Sequence, residues 1–424
     1  MKKVVKSLLR PYWHLFKNIA KSGLRLAVVP IRNLPISSET LGPPKGFYKS
    51  TQEWMQAKGK SSGAQYFSFR PEETAIRVPP HSLESTVHWK MKEEYKRDLP
   101  ASFVATIPNG RFCINKGAVV DNTAVITADD MLLADLSSEF GEFGEKPEKH
   151  SIFTRWKLPQ AHYLPGTVAI LTSVKADIYF HWMFDLLPKT EILRQSGFAL
   201  HKIDWFVVNS LQMPFQKSSL QALGIPAEKV IESIKYSHIK ADTLLVPSLA
   251  CIPGNVPMWV SDFIRKTFLT EIKSAVSGTT PKRVYISRGD AKYRRVEGES
   301  QLIKELSGVG FEPVELSKLS LQGQIDLFVN AEAIVAPHGA GLTNLIYCEP
   351  ETVVIEFFSP NYVNACYYAL SSQLKLNYYY LIGEGNRPAE GTDPHLAGDD
   401  ITIKPEYLLQ IMARAGLMKE KAGV

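Results

Sequence analysis

From Arg283 to Ile382 short β-forming runs alternate with stretches of helical spacing, and no other feature of the sequence constrains the fold as much. The pattern predicts strands at Arg283–Ile286, Phe311–Leu316, Ala333–Ala336, Thr352–Phe357 and Tyr378–Ile382. Between them it predicts helices at Glu299–Val309, Leu321–Asn330 and Tyr362–Leu374. Parallel strands need crossover connections, and helices lying on the sheet supply them. The expected product is a Rossmann-like parallel sheet, whose ligands bind at the carboxyl ends of the strands.

Unusual polar residues fall at those ends. Ala333 to Ala336 stops at Pro337, and His338, Gly339, Ala340 and Gly341 follow before an apolar stretch of helical spacing. A helix start carries unpaired N–H groups and a partial positive charge, so it suits phosphate. The two glycines allow close backbone approach, and His338 adds a donor at the rim. A tight turn needed only for packing is the plainer alternative. Arg288 lies just past the first strand, Arg294 and Arg295 lie in the loop after it, and Glu356 closes the fourth strand. Guanidinium forks match a diphosphate, and a carboxylate at a strand end suits ribose hydroxyls. No G-x-G-x-x-G or P-loop lysine accompanies them.

The first half has its own oddity, Tyr179-Phe180-His181-Trp182-Met183-Phe184-Asp185-Leu186-Leu187-Pro188. His181 and Asp185 stand four apart and share a helix face. A carboxylate among aromatic rings and leucines is one whose charged form burial disfavours, which is how a general base is tuned. Asp185 is the expected base, with His181 as alternative or orienting partner. A packing helix with a surface His–Asp pair is the competing reading. Strand-like runs at Phe103–Ala105, Gly117–Val120, Ala124–Ile126, Val168–Leu171, Ile203–Val208 and Leu244–Val246 surround this segment, with a helix at Phe215–Leu223. They imply a second α/β layer.

The 424 residues are enough for two cores, and 45% hydrophobic with 22% charged residues is a globular composition. The net charge of +6 is local. Residues 1–38 hold eight basic side chains and no acidic one, so removing them from 49 leaves 41 basic against 43 acidic residues. The body has no general attraction for nucleic acid. Residues 1–32 lack an apolar run long enough to span a bilayer and read as an amphipathic helix for an anionic membrane surface, or as a solvated tail. The four cysteines form no C-x-x-C pair and the ten histidines no cluster, so no metal site is expected.

Three stretches, FHWMFDLLPKTEIL, YISRGDAKYRRVEGE and IVAPHGAGLTNLIYCEPETVVIEFFSPNY, resemble in order the signature blocks of glycosyltransferase family 61, and NGRFCINKGAVV with the residues after it resembles the block upstream. The resemblance covers about Ile107 to Ile382. It implies an α/β protein of GT-B type, two Rossmann-like domains facing across a cleft, here with a basic N-terminal leader. It implies inverting, metal-independent transfer of a sugar from a nucleotide diphosphate, commonly UDP, to a glycan, lipid-linked or other hydroxyl acceptor in surface (for instance capsular) polysaccharide synthesis. Carried over by position, Arg288, Arg295, His338, Gly339 and Glu356 hold the donor, while His181 and Asp185 lie on the acceptor side; Arg294, Ala340 and Gly341 complete the expected donor site. The family's Asn is replaced by Gly298. That replacement leaves room for a silent nucleotide-sugar-binding partner instead of an enzyme. The expected division is a leader over 1–38, an irregular connector over 39–100, an acceptor-side α/β domain over 101–276, a donor domain over 277–390 and a tail with a helix over 391–424. The expected place is the cytoplasm, peripheral on the inner membrane.

Overall fold

A computed structural model describes residues 19–58, 63–116, 121–139, 146–252, 254–269, 280–394 and 396–418. The chain divides into two compact units, one of Met1–Glu72 with Pro100–Ala250, the other of Glu73–Leu99 with Cys251–Val424.

The first unit is built on a mixed sheet with eleven strands among the described residues. Its parallel half runs His238–Pro247, His162–Ile170, Trp205–Val208, Val230–Glu232. Ser102–Pro108 and Arg111–Lys116 pair antiparallel with His238–Pro247. The turn joining these two strands is at Asn109-Gly110, where Asn109 takes φ 53°, a left-handed conformation asparagine tolerates better than most residues. Ala105, Ile107, Val168, Ile170, Leu244 and Val246 project at period two into one core. The run expected at Gly117–Val120 lies outside the described residues.

The 39–100 stretch is not an irregular connector. Gly46–Tyr48 pairs with Met131–Leu133, and Gln65–Arg70 pairs with Ser102–Pro108, both in the first unit. Glu73–Ile76 and Lys96–Leu99 form a hairpin of the second unit. These short strands escape pattern reading because most of their side chains stay in solvent. Residues 19–32 are helical, with Val28 buried and Lys21 paired to Glu139 at 3.1 Å. Most of the proposed membrane-binding face lies in residues 1–18, outside those described. Among the described residues no helix is long and apolar enough to cross a membrane.

The second unit holds five parallel strands in the order Glu312–Val314, Arg283–Ile286, Ala333–Pro337, Val353–Phe358, Asn377–Ile382. The expected strands are all present, and the order is the 2-1-3-4-5 of a doubly wound sheet. Leu302 and Leu306, one turn apart on the helix Glu299–Ser307, pack into the core beside Val335 and Ile355. The chain divides at Ala250/Cys251, so the helix Met258–Leu269 belongs here and not to the first unit as expected from a joint at 277. The helix expected within 391–424 is present and packs on the sheet core. Pro405–Arg414 is a helix with proline in its first turn, and its Leu408, Ile411 and Met412 complete the same core. Each such burial contributes about 1.5–3 kcal/mol.

Candidate active site

In the second unit the winding reverses between Arg283–Ile286 and Ala333–Pro337, and a crevice opens at the carboxyl ends of strands flanking such a switch point. The cavity found there has a volume of about 130 Å³ and is lined by Ser287, Arg288, Asp290, Pro337, Gly339 and Gly341, among others. Glu299 sets the shape of its first wall: its Oε1 accepts from the Ser287 hydroxyl at 2.9 Å and the Arg288 amide at 3.3 Å. The Arg288 side chain crosses the crevice onto Gly339, where an added Cβ would collide with the guanidinium. Gly339 itself is extended, at φ −179°, so space and not backbone conformation demands glycine there.

Arg288 is poorly satisfied. Nη2 donates to the Tyr293 carbonyl at 3.1 Å, while Nε is buried with no partner among the described residues. Burial, and then the charge of Arg294, weakens its hold on its proton. Two guanidinium groups near one another, with Asp290 the one acidic side chain along the cavity, make a site that an anion would relieve.

Arg294 and Arg295, equal in sequence, separate in space. Arg294 takes φ 54° and turns inward: Nε donates to the His338 carbonyl at 3.0 Å, Nη1 donates to the Ala397 carbonyl at 2.7 Å, and the guanidinium lies over the Tyr362 ring. Arg295 points out, its side chain 55% exposed beside Asp400, and it does not line the cavity.

His338 and Glu356 also differ from expectation. Glu356 is wholly buried, and both its oxygens are used: Oε1 against His338 Nδ1 and Oε2 accepting from the Tyr378 hydroxyl, each at 2.5 Å. It orients His338 and does not face a ribose. Burial lowers the pKa of His338 and the Glu356 charge opposes the shift, so a neutral ring donating Nδ1–H to the carboxylate fits the geometry. Ala340–Tyr347, expected as an α-helix, is a 3₁₀ helix that starts directly beyond Gly339. Gly298, in place of the family's Asn, sits at φ 70° and ψ 25° just before the helix Glu299–Ser307. Glycine and asparagine are the residues that adopt that conformation most readily, so the substitution preserves the backbone.

In the first unit Tyr179–His181 opens a helix whose next turn, Trp182–Leu186, is a π turn: the Leu187 amide bonds back five residues to the Trp182 carbonyl at 3.0 Å. Pro188, which has no N–H, follows at once and begins the regular helix Pro188–Gln195. Such bulges recur at functional sites. His181 Nδ1 meets Asp185 Oδ2 at 2.6 Å, with side-chain exposures of 16% and 9%. The histidine, not the expected aspartate, is the more open of the pair. Trp182, Phe184 and Leu186 are fully buried around them, and Trp182 Nε1 donates to Ser219 Oγ at 2.8 Å.

Lys189 was not foreseen from the sequence. It stands one turn beyond Asp185, is buried, and donates to the Thr172 carbonyl at 2.8 Å. Burial pulls its pKa down to about 8, against the attraction of Asp185. The spacing 181, 185, 189 was the available signal. Among the described residues no three His, Cys, Asp or Glu side chains gather as metal ligands.

Residues 179–355, which span the His–Asp turn, the arginine cavity and its switch-point strands, match the family model for Glycosyltransferase 61. Over these residues the chain is similar to the family 61 glycosyltransferases. No curated protein matches it. Among solved structures it is similar to the dodecameric iron-containing heptosyltransferase TibC in complex with ADP-D-beta-D-heptose, at 12% identity over 70% of this chain and 85% of that one. The TM-score of 0.27 is too low for that likeness to carry anything across. The family 61 match ends at residue 355, so Glu356 and Tyr362 are read from this chain's geometry alone.

Proposed function

We propose that this glycosyltransferase moves a sugar, with inversion, from a nucleotide diphosphate, UDP in the first place, to a hydroxyl of a glycan or lipid-linked acceptor, in surface polysaccharide synthesis. The arrangement proposed is that of a GT-B enzyme, with donor held by the second unit and acceptor activated by the first. The observation that carries the reading is Arg288: a partly buried cation with an orphaned Nε, laid over Gly339 at a switch-point crevice. A diphosphate supplies the acceptor oxygens that this group lacks.

Inversion requires a single displacement. The acceptor oxygen loses its proton as it attacks the anomeric carbon, and the bond to the diphosphate breaks on the opposite face. We assign the proton to His181 Nε2, with Asp185 fixing the ring through Nδ1 and stabilising the imidazolium that forms. Arg288, with the charge of Arg294 nearby, neutralises the departing diphosphate, the task a metal ion would otherwise perform. Attachment to an anionic membrane through residues 1–32, at a cytoplasmic face, belongs to the same proposal.

The test is a thermal-shift screen of the full chain with UDP, other nucleoside diphosphates and their sugars, with and without EDTA. The expected result is a rise in Tm with UDP that EDTA leaves unchanged and Arg288→Ala removes. A rise that survives Arg288→Ala, or none with any nucleotide, sinks the assignment.

A further inference from the structure

A second cavity in the same unit, of about 160 Å³, lies beyond the carboxyl ends of Val353–Phe358 and Asn377–Ile382, with Pro360 and Ile382 among its walls. It shares the ligand-binding edge of the sheet with the arginine crevice but not its chemistry. Trp89 lines one side, its ring stacked against His88 at 5.8 Å and 29°. Lys90 pairs with Asp393 and Arg387 with Glu84 around the rim. Counting Glu390, the lining has three acidic and two basic side chains, so it offers no net attraction for phosphate.

Apolar rings beside alternating charged donors and acceptors suit a neutral polyol. The C–H face of a sugar ring packs on an indole, and its hydroxyls both donate to carboxylates and accept from ammonium and guanidinium groups. The segment 383–400 contributes to this cavity and to the packing of Arg294. Its described residues contain no helix or strand. It brings Arg387 and Asp393 to this cavity, and its Ala397 carbonyl accepts from Arg294 beside the other. Ordered loops of this length without structure of their own are commonly binding loops.

Resting on the glycosyl-transfer reading, we propose that the Trp89 cavity binds one sugar ring on the same edge of the sheet as the nucleotide site, with Arg387 and Asp393 in its wall. The ring belongs either to the donor or to the acceptor glycan.

Saturation-transfer NMR on the full chain tests this, using glucose, galactose, N-acetylglucosamine, xylose and rhamnose as probes. At least one sugar should give ring-proton signals that fall about tenfold in Trp89→Ala, fall partly in Arg387→Ala, and persist in Trp89→Phe and Arg288→Ala. Added UDP-glucose separates the sources: displacement of the free sugar marks the donor's ring, and binding of both together marks the acceptor's. Either result supports the site. Signals unchanged in Trp89→Ala, or absent for every sugar, overturn it. The ligand-free melting transition of each sample checks that the variant is folded. The UDP thermal shift of the wild type separates the two proposals, because its absence with sugar signals intact contradicts the donor reading alone.

Discussion

The two polar centres of this chain solve opposite problems. On the helix of the first unit a histidine and a carboxylate satisfy each other inside an apolar wall, and the buried Lys189 stands one turn away. At the switch point of the second unit a guanidinium has a buried nitrogen with no partner among the described residues, and a second cation stands near it. In the proposed reaction the first arrangement passes a proton and the second takes an anion. A buried polar group that lacks a partner costs free energy, and an anion in the adjoining crevice would offset that cost at Arg288.

Variants that strike one centre should therefore leave the other's readout alone. The largest effect belongs to the pair: His181→Ala or Asp185→Asn should lower the rate of UDP release from the donor by about 10²–10⁴-fold, with UDP affinity unchanged. Turnover at the wild-type rate in either variant would remove that residue from proton transfer. Next, Arg288→Ala should weaken UDP binding by roughly 1.5–3 kcal/mol, the worth of hydrogen bonds to a charged group. Arg295→Ala, on the exposed side of the same loop, should leave it unchanged, and calorimetry showing the reverse order would reassign the donor site. Gly339→Ala should behave like Arg288→Ala without unfolding the protein, because its methyl group displaces the guanidinium.

Titration sharpens the contrast through stability. His338 has an ordinary pKa of 6.5 that burial lowers in the fold. As pH drops below 6.5 the unfolded chain takes up a proton the folded chain resists, so this group makes stability fall on acidification. Lys189 acts in another window. Between pH 10.5 and about 8 the unfolded chain keeps a proton that the folded chain has lost, so its contribution raises stability as pH rises through that range. Lys189→Met should flatten the dependence of Tm on pH between those limits, and an unaltered slope would show that the lysine is not held as described. The smallest effect is expected at Gly298→Asn, within about 0.5 kcal/mol for stability and UDP affinity alike, since both residues accept the left-handed backbone. A large gain of activity there would instead favour the silent-partner reading.

Much of this was legible in the sequence. The strands of the second unit were read because both faces are covered and their residues are largely apolar, as in Val353–Phe358, where Glu356 is the one exception. His181 and Asp185 were read because helical spacing alone brings them together. What pattern could not supply was the direction of a side chain set by a distant or local backbone choice. Arg294 turns in and Arg295 out because one residue takes a positive φ. Glu356 looked available to a ligand because Tyr378, which occupies its second oxygen, lies in the next strand. The early hairpin joined the second unit through pairing across the chain: the His81 amide donates to the Tyr378 carbonyl and its carbonyl accepts from the Tyr380 amide.

The division of labour between the two centres is the central claim, and calorimetry of UDP in EDTA against wild type, Asp185→Asn and Arg288→Ala tests it most directly. The account predicts equal affinity for wild type and Asp185→Asn and at least tenfold weaker binding to Arg288→Ala. Equal affinity across all three, or a loss confined to Asp185→Asn, would contradict it.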